Sequence, residues 1–500
     1  MQLETSTTSG PIRGRQAGGV VAFLGIPYAA APFAELRFAA PAPPPPWTAV
    51  RDCVAYGPTA LKPPYPAPID LLLPEPAIEG TDVLNLNVWT PDPAATGLPV
   101  IVWIHGGAFV NGSGAVPQYD GTAFARDGVV LVTLNYRLGV DGFLHFGDDG
   151  PTNRGLLDQV AALTWVRDNI ATFGGDPGNV TVAGESAGAF SVSALLSMPL
   201  AAGLFRRAVL QSGAGHHALT AATASRVAAA LAEQLGVPLT RAALAAVDPA
   251  ELVAAQFALS QSIAAAPDPV RWGEIAGNLM AWEPVIDGDV LPALPVRAIE
   301  AGASAEVDVL LGTTSDEFAL FLVPNGFVDF IDDATLAMAV AGYGLPAQAL
   351  ATYRSGRPTA TPGELLIAVG TDWFFRIPAL RLAEARAGGP ARTFMYEFAW
   401  PSPLFDGRLG ACHALEIPFV FDTLDSPGAE ALAGQASAQA PVQALADVMH
   451  RAWVDFAASG DPGWPAYEVR TRPVQVFGTL TSVVPDPRSA QRAAWEGIRT

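Results

Sequence analysis

Lysine is nearly missing from this chain. Lys62 is the only one, so almost all the positive charge is arginine. One class of mechanism goes with it, because a Ser-x-x-Lys hydrolase would need a serine at position 59, which is Thr59. Cysteine is as scarce: Cys53 and Cys412 are too few for a disulfide framework. With only 6 histidines, scattered along the chain, a Cys/His metal site is short of ligands, and no structural metal is expected. Long apolar runs are also missing, since Gly, Pro or charge breaks each greasy stretch before it could span a bilayer. The opening MQLETSTTSG has neither the basic nor the apolar region of a secretory signal, which points to the cytoplasm. Bases number 28 against 48 acids, a net charge of −20 that repels phosphate backbones. Neither nucleic acid nor a membrane is an expected partner.

What the chain does have is apolar bulk, 50% of its residues, and a regular alternation of elements. PVIVWIHGG (Pro99 to Gly107), GVVLVTLNYR (Gly128 to Arg137) and NVTVAGES (Asn179 to Ser186) read as buried strands. Between the last two, GLLDQVAALTWVRDNIATF (Gly155 to Phe173) carries apolar residues at helical spacing. VDVLLGTTSDEF (Val307 to Phe318) and TFMYEFAW (Thr393 to Trp400) return to strand character, and the Ala-rich stretch from Thr220 to Ile263 reads as helix. Near-continuous apolar strands separated by amphipathic helices predict an α/β fold, its mostly parallel sheet covered on both faces. No Gly/Ser linker or internal repeat divides the chain, so a single domain over 1–500 is expected. Helical insertions at about 218–300 and 325–390 would decorate it.

Within TVAGESAGAFSV (Thr181 to Val192), Ser186 follows a strand and precedes a helix, with Gly184 and Gly188 two residues away on each side. A G-x-S-x-G match alone could be a glycine-rich loop. A strand-to-helix turn needs small residues there while it exposes a nucleophilic Oγ. HGGAF (His105 to Phe109) ends another strand, and the amides of Gly106 and Gly107, with that of Ala187, are candidate oxyanion donors. His105 reads as shaping this loop rather than as a base. For the base, His413 in GACHALEIPFVF is preferred over His145, His216, His217 and His450. For the acid, Glu317 in GTTSDEF is preferred, with Asp316 as the local alternative. Glu185 adjoins Ser186 and is read as a buried hydrogen-bonding support whose side chain points away from Oγ.

Taken together, GIPYA, NLNVWTP, WIHGGAF, NYRLG, FGGDPGNVTVAGESAG, QSG, TTSDEF and GACHALEIPFVF resemble the type-B carboxylesterase family, which includes bacterial para-nitrobenzyl esterases and cholinesterases. The motifs run in family order from Gly25 to GDPGWP at Gly460 to Pro465. The resemblance implies one α/β-hydrolase domain and a Ser-Glu-His triad falling on Ser186, Glu317 and His413. It also puts oxyanion amides on Gly106, Gly107 and Ala187, with Ser212 of QSG either supporting the triad or forming a plain turn. It implies a cofactor-independent serine esterase with a small-molecule ester substrate, short-chain or aromatic, phthalate-type diesters included. A non-catalytic binding protein on the same fold is the rival, and an amidase or carbamate hydrolase the alternative within enzymes. Phe109 and Phe318 are candidate pocket residues, Phe318 standing where relatives often carry glycine. Where relatives often read E-D-C-L, this chain has Thr81-Asp82-Val83-Leu84, and the pairing cysteine near YGPTA is also missing. That loss suits a reducing compartment. Cys412 beside His413 is expected to pack as a small hydrophobe.

Overall fold

The computed structural model describes residues 3–499. Its centre is an eleven-stranded sheet. In chain order the strands are β1 (Arg15–Ala17), β2 (Val20–Pro27), β3 (Asn85–Thr90), β4 (Leu98–Ile104), β5 (Val130–Leu134), β6 (Gly175–Glu185), β7 (Arg207–Gln211), β8 (Asp308–Thr314), β9 (Thr393–Phe398), β10 (Pro473–Phe477) and β11 (Ser482–Pro485). Across the sheet they lie in the order β11-β10-β9-β8-β7-β6-β4-β5-β3-β2-β1. The strands from β5 through β10 pair in parallel, and antiparallel strands finish both edges.

The apolar strands follow from burial on two faces. On β4, Val100, Val102 and Ile104 enter one core, while Ile101 and Trp103 enter the other. β5 divides the same way, with Val130, Val132 and Leu134 opposed to Leu131. A strand covered on both faces has no polar side to show, so its sequence reads as a continuous hydrophobic run. The helix expected between β5 and β6 is α1 (Arg154–Asn169), tightened over Ile170–Phe173 into a final 3₁₀ turn.

The Ala-rich region forms three helices, Ala221–Leu235, Arg241–Ala245 and Pro249–Ala265. Their ends carry the usual signals. Thr220 accepts from the Thr223 amide at the first start, Gly236 closes that helix in the left-handed region, and Asp248 caps a helix that opens on Pro249. These helices build a satellite core around Val227, Leu231, Leu252, Ile263 and Trp272. Further on, the helix Pro362–Thr371 runs through a π turn, Asp372–Arg376, into Ile377–Arg386. Among the described residues no single helix is long and apolar enough to cross a membrane.

The junction of β6 with α2 (Ala187–Ser197) sets the geometry that follows. Ser186 stands between them at φ 55°, ψ −122°, a conformation rarely tolerated outside glycine. Close packing enforces it. A Cβ on Gly188 would lie 2.0 Å from the carbonyl oxygen of Ile104, the last residue of β4, and 3.0 Å from that of His105, the next residue in the chain. Gly188→Ala is therefore expected to cost about 3 kcal/mol or more, at or above the top of the usual overpacking range. Gly342→Ala, at a helical glycine with open space around it, should leave stability unchanged or slightly higher. Denaturant unfolding of both variants checks the contrast.

Candidate active site

Ser186 is presented at the C-terminal edge of the sheet, where β4, β6 and β8 all deliver their following loops. Its amide donates to the Gln211 carbonyl at 2.9 Å, and its own carbonyl receives the Phe190 amide as α2 begins. The loop after β4 lies against it: a Cβ on Gly106 would be 3.1 Å from Ser186 Cβ. Among the described residues, the amides of Gly106, Gly107 and Ala187 donate to no protein acceptor. With α2 starting at Ala187, these amides are unused N–H dipoles in the loop and the helix start around Ser186.

After β8, Glu317 turns back so that its Oε1 accepts the Thr314 amide at 2.8 Å and its Oε2 lies 2.6 Å from His413 Nδ1. A second link joins the same residues, from the His413 amide to the Glu317 carbonyl at 3.3 Å. Asp316 faces elsewhere. It accepts from Ser315 Oγ at 2.6 Å and the Ala411 amide at 3.1 Å, which anchors the His413 loop rather than the imidazole.

Glu185 departs from expectation. Its Oε1 lies 3.1 Å from His413 Nε2, and its side chain borders the cavity that holds Ser186. Neighbours on a strand point to opposite faces, but the left-handed turn at Ser186 breaks that alternation at its edge. The imidazole is thus flanked by two carboxylates. Burial works against its charged form, but Glu185 and Glu317 outweigh it and hold the pKa at about 9. Burial, reinforced by Glu317, pushes Glu185 up to about 7 despite the imidazole. Behind them Glu416 accepts from Tyr396 at 2.9 Å and Gln211 at 3.2 Å, and burial raises it to about 8.

The other histidines lie outside this cavity, whose only imidazole is that of His413 among the described residues. His145 bonds Thr152, and His450 bonds the Val420 carbonyl. His217 is sandwiched by Phe190 and Phe374, and His216, half-buried, precedes it. His105 stacks on Tyr136 at 4.5 Å, with Nδ1 2.8 Å from the Gly106 carbonyl oxygen. Since a carbonyl only accepts, that nitrogen carries the proton, and burial holds the ring neutral with a pKa of about 3.

The cavity encloses about 520 Å³. Its floor holds Ser186, Gly106 and Gly107; its walls are Tyr65, Ile69, Leu73, Phe190, Met280, Phe318, Phe321, Phe374 and Phe375. Phe318 therefore borders it, but Phe109 does not. The left-handed turn at Ala108 and Phe109 tucks that ring into the core, fully buried and 4.9 Å from Phe143. Ser212 is buried behind the cavity wall, its amide on the Gly312 carbonyl and its hydroxyl without a partner among the described residues. Cys412 is buried and its thiol is pushed up by burial; Cys53 is raised to about 11 for the same cause.

Several lining residues escaped the sequence. Phe374 and Phe375 sit on the π turn, which swings consecutive aromatics toward one side. DWFFR was a visible aromatic cluster with nothing local to show which way it faced. The strap carrying Tyr65 to Glu75 had one signal, the solitary Lys62 beside it.

Three comparisons bear on the site. A family model described as the carboxylesterase family matches residues 1–481. The para-nitrobenzyl esterase of Bacillus subtilis is 38% identical over 97% of each chain. The phenmedipham hydrolase of Pseudarthrobacter oxydans is 36% identical over 94% of each. A crystal structure of a Geobacillus stearothermophilus carboxylesterase superposes with a TM-score of 0.87, at 38% identity, covering 99% of this chain and 100% of that one.

Proposed function

This chain belongs to the carboxylesterase family, an ester hydrolase of the serine-hydrolase type on an α/β-hydrolase fold, and we propose that Ser186, Glu317 and His413 are the residues that perform its reaction. The observation that carries this is the 2.6 Å contact of His413 Nδ1 with the buried Glu317 carboxylate, in the cavity where Ser186 stands beside unused amides. With its Nδ1 proton committed to Glu317, the imidazole keeps Nε2 as the basic nitrogen. It takes the proton from Ser186 Oγ as that oxygen bonds the ester carbonyl carbon. The carbonyl oxygen gathers negative charge and is received by the amides of Gly106, Gly107 and Ala187. The alcohol leaves with the proton from His413, and water, deprotonated by the same nitrogen, releases the acid from the acyl-enzyme.

The substrate reading follows from the walls. Aromatic and aliphatic side chains surround a space of about 520 Å³, and the acidic groups there are met by Lys62 and His413. Neutral apolar esters, with short acyl chains or aromatic groups up to phthalate-type diesters, suit such a cavity. The names of the para-nitrobenzyl esterase and phenmedipham hydrolase, both relatives, support an aromatic leaving group. The same reading takes residues 1–500 as one domain, with the insertions at about 218–300 and 325–390 walling the cavity through Asn278, Met280, Tyr343 and Phe374. A cytoplasmic location completes it and suits two unpaired, buried cysteines.

A para-nitrophenyl phosphate triester tests the assignment. Stoichiometric phosphorylation mapped to Ser186, with loss of esterase activity in step, is expected. An unmodified Ser186 would favour a binding protein. Turnover across para-nitrophenyl esters of rising chain length, beside aromatic diesters and an aryl carbamate, ranks the substrates.

A further inference from the structure

The chain's single lysine lies 50 residues upstream of Gly112, yet its Nζ donates to the Gly112 carbonyl at 3.0 Å. It also pairs with Glu75 Oε1 at 2.8 Å, both side chains nearly excluded from water, at 5% and 9% exposure. The two residues belong to one strap. Its neck is closed where the Thr59 amide donates to the Ile78 carbonyl at 3.0 Å and the Ile78 amide to Thr59 Oγ1 at 3.1 Å. Asn85 bonds the Pro58 and Asp82 carbonyls, both at 2.8 Å, across the same neck. Between these points the strap lays Tyr65, Ile69, Leu73 and Glu75 against the cavity.

Glu75 grips the loop after β4 from the strap side. It accepts the Gly112 amide on Oε1 and the Asn111 side-chain amide on Oε2 at 3.2 Å, while that same amide donates to the Pro63 carbonyl at 2.7 Å. Lys62 and Glu75 therefore hold the carbonyl and the amide of one residue, Gly112. That residue is jammed against the oxyanion loop: at φ +99°, a Cβ on it would lie 2.3 Å from the Gly106 carbonyl oxygen and 2.1 Å from His105 Nδ1. The Gly106 carbonyl and the Gly107 N–H share one planar peptide unit, so whatever fixes that oxygen aims that hydrogen. The Asn111 amide, donating to the Gly107 carbonyl at 2.8 Å, closes the same turn.

We propose that Lys62 and Glu75 are positioning residues of the ester hydrolysis, clamping Gly112 so that the Gly106–Gly107 peptide points its amide at the developing oxyanion, and so tying the seated strap to a competent site. The proposal rests on reading Gly107 as an oxyanion donor. Neither side chain touches substrate in this role. An isolated buried charge is costly, so losing either partner releases the clamp and the other partner together.

The variants are Lys62→Met, Glu75→Gln and Lys62→Arg, with kcat and KM measured on a para-nitrophenyl butyrate ester. Thermal stability and inhibition by an aryl trifluoromethyl ketone, whose serine adduct carries the oxyanion, are read beside them. A misdirected donor costs on the order of 10²-fold, so kcat and ketone affinity should fall together by about that factor in Lys62→Met and Glu75→Gln. Lys62→Arg should recover most of it. Stability that falls while kcat and ketone affinity stay within about twofold of the parent, a far smaller effect than the donor loss predicts, overturns the proposal. A second measurement needs no variant. Because Lys62 is the only lysine, trinitrobenzenesulfonate modification mapped to it by peptide analysis reports the strap in the unmodified sequence. Turnover should disappear in step with modification, and bound ketone, by holding the strap seated over Lys62, should slow modification. Full turnover in protein modified at Lys62 overturns the proposal as well. Ser186→Ala, assayed in parallel, separates the two readings. Retained turnover there removes the active-site assignment itself; a dead Ser186→Ala beside an unaffected Lys62→Met removes only the clamp.

Discussion

Replacing Ser186 with alanine is expected to lower esterase turnover by about 10⁶-fold, the scale on which loss of a triad nucleophile is felt. The reasoning is positional. Ser186 is held at φ 55° between the buried end of β6 and a buried helix, and the glycines two residues to either side, Gly184 and Gly188, leave no room for Cβ atoms, which would collide with backbone. That strain makes sense where a side chain must be held exposed on a rigid turn, and a serine of merely structural use would be relieved of it. The variant should fold as well as the parent, because removing one hydroxyl from an open cavity leaves no packing defect. Circular dichroism and thermal melts should therefore match while para-nitrophenyl ester hydrolysis disappears. Turnover within tenfold of the parent would be far above that expected loss and would place the nucleophile elsewhere.

The second large effect concerns the two carboxylates around His413. Glu317→Gln is expected to reduce kcat by about 10⁴-fold, as removal of the orienting acid does in other triads. Geometry makes the loss severe here. Glu185 stands 3.1 Å from Nε2, so an imidazole released from Glu317 is drawn to the tautomer protonated on Nε2, which cannot accept the serine proton. Glu185→Gln should behave differently. It removes a charge that favours imidazolium while leaving the 2.6 Å contact with Glu317 intact. The pKa of His413, held near 9 by both carboxylates against burial, therefore falls. The base is active when neutral, so the acidic limb of the pH–kcat profile should move down by about 1–3 pH units, with the plateau less affected than in Glu317→Gln. Profiles of the two variants beside the parent decide the matter. A larger plateau loss in Glu185→Gln than in Glu317→Gln would make Glu185 the orienting acid.

These expectations draw unequally on sequence and structure. The serine elbow was legible because everything that makes it lies within about a dozen neighbouring residues: strand, tight turn and helix succeed one another directly. The sheet was legible for a similar reason. Burial on both faces writes an apolar run into each parallel strand, and β4, β5, β6, β8 and β9 fall within the stretches read as strands or within a few residues of them. The edge strand β11 carries a weaker pattern, since it is mostly exposed.

Side-chain direction was less legible. Phe109 looked like a pocket residue because it ends HGGAF, but two successive left-handed residues reverse its direction, and backbone sign is not encoded by an alanine and a phenylalanine. Glu185 looked as though it must point away, because strand alternation is the only rule available locally; the turn that ends the strand cancels it. His413 and Glu317 are 96 residues apart, and only chain order and family likeness could single them out from five other histidines and the acid next door.

Taken alone, the sequence determined the class of the fold, the place of the elbow and the kind of chemistry, because each is a pattern of neighbours in the chain. The tertiary structure decided who faces whom: Glu185 on the far nitrogen of the imidazole, Phe374 and Phe375 in the cavity wall, and Lys62 on the carbonyl of Gly112. Those contacts close loops of tens to hundreds of residues. Their geometry is set by backbone turns and packing that no single stretch of residue types records.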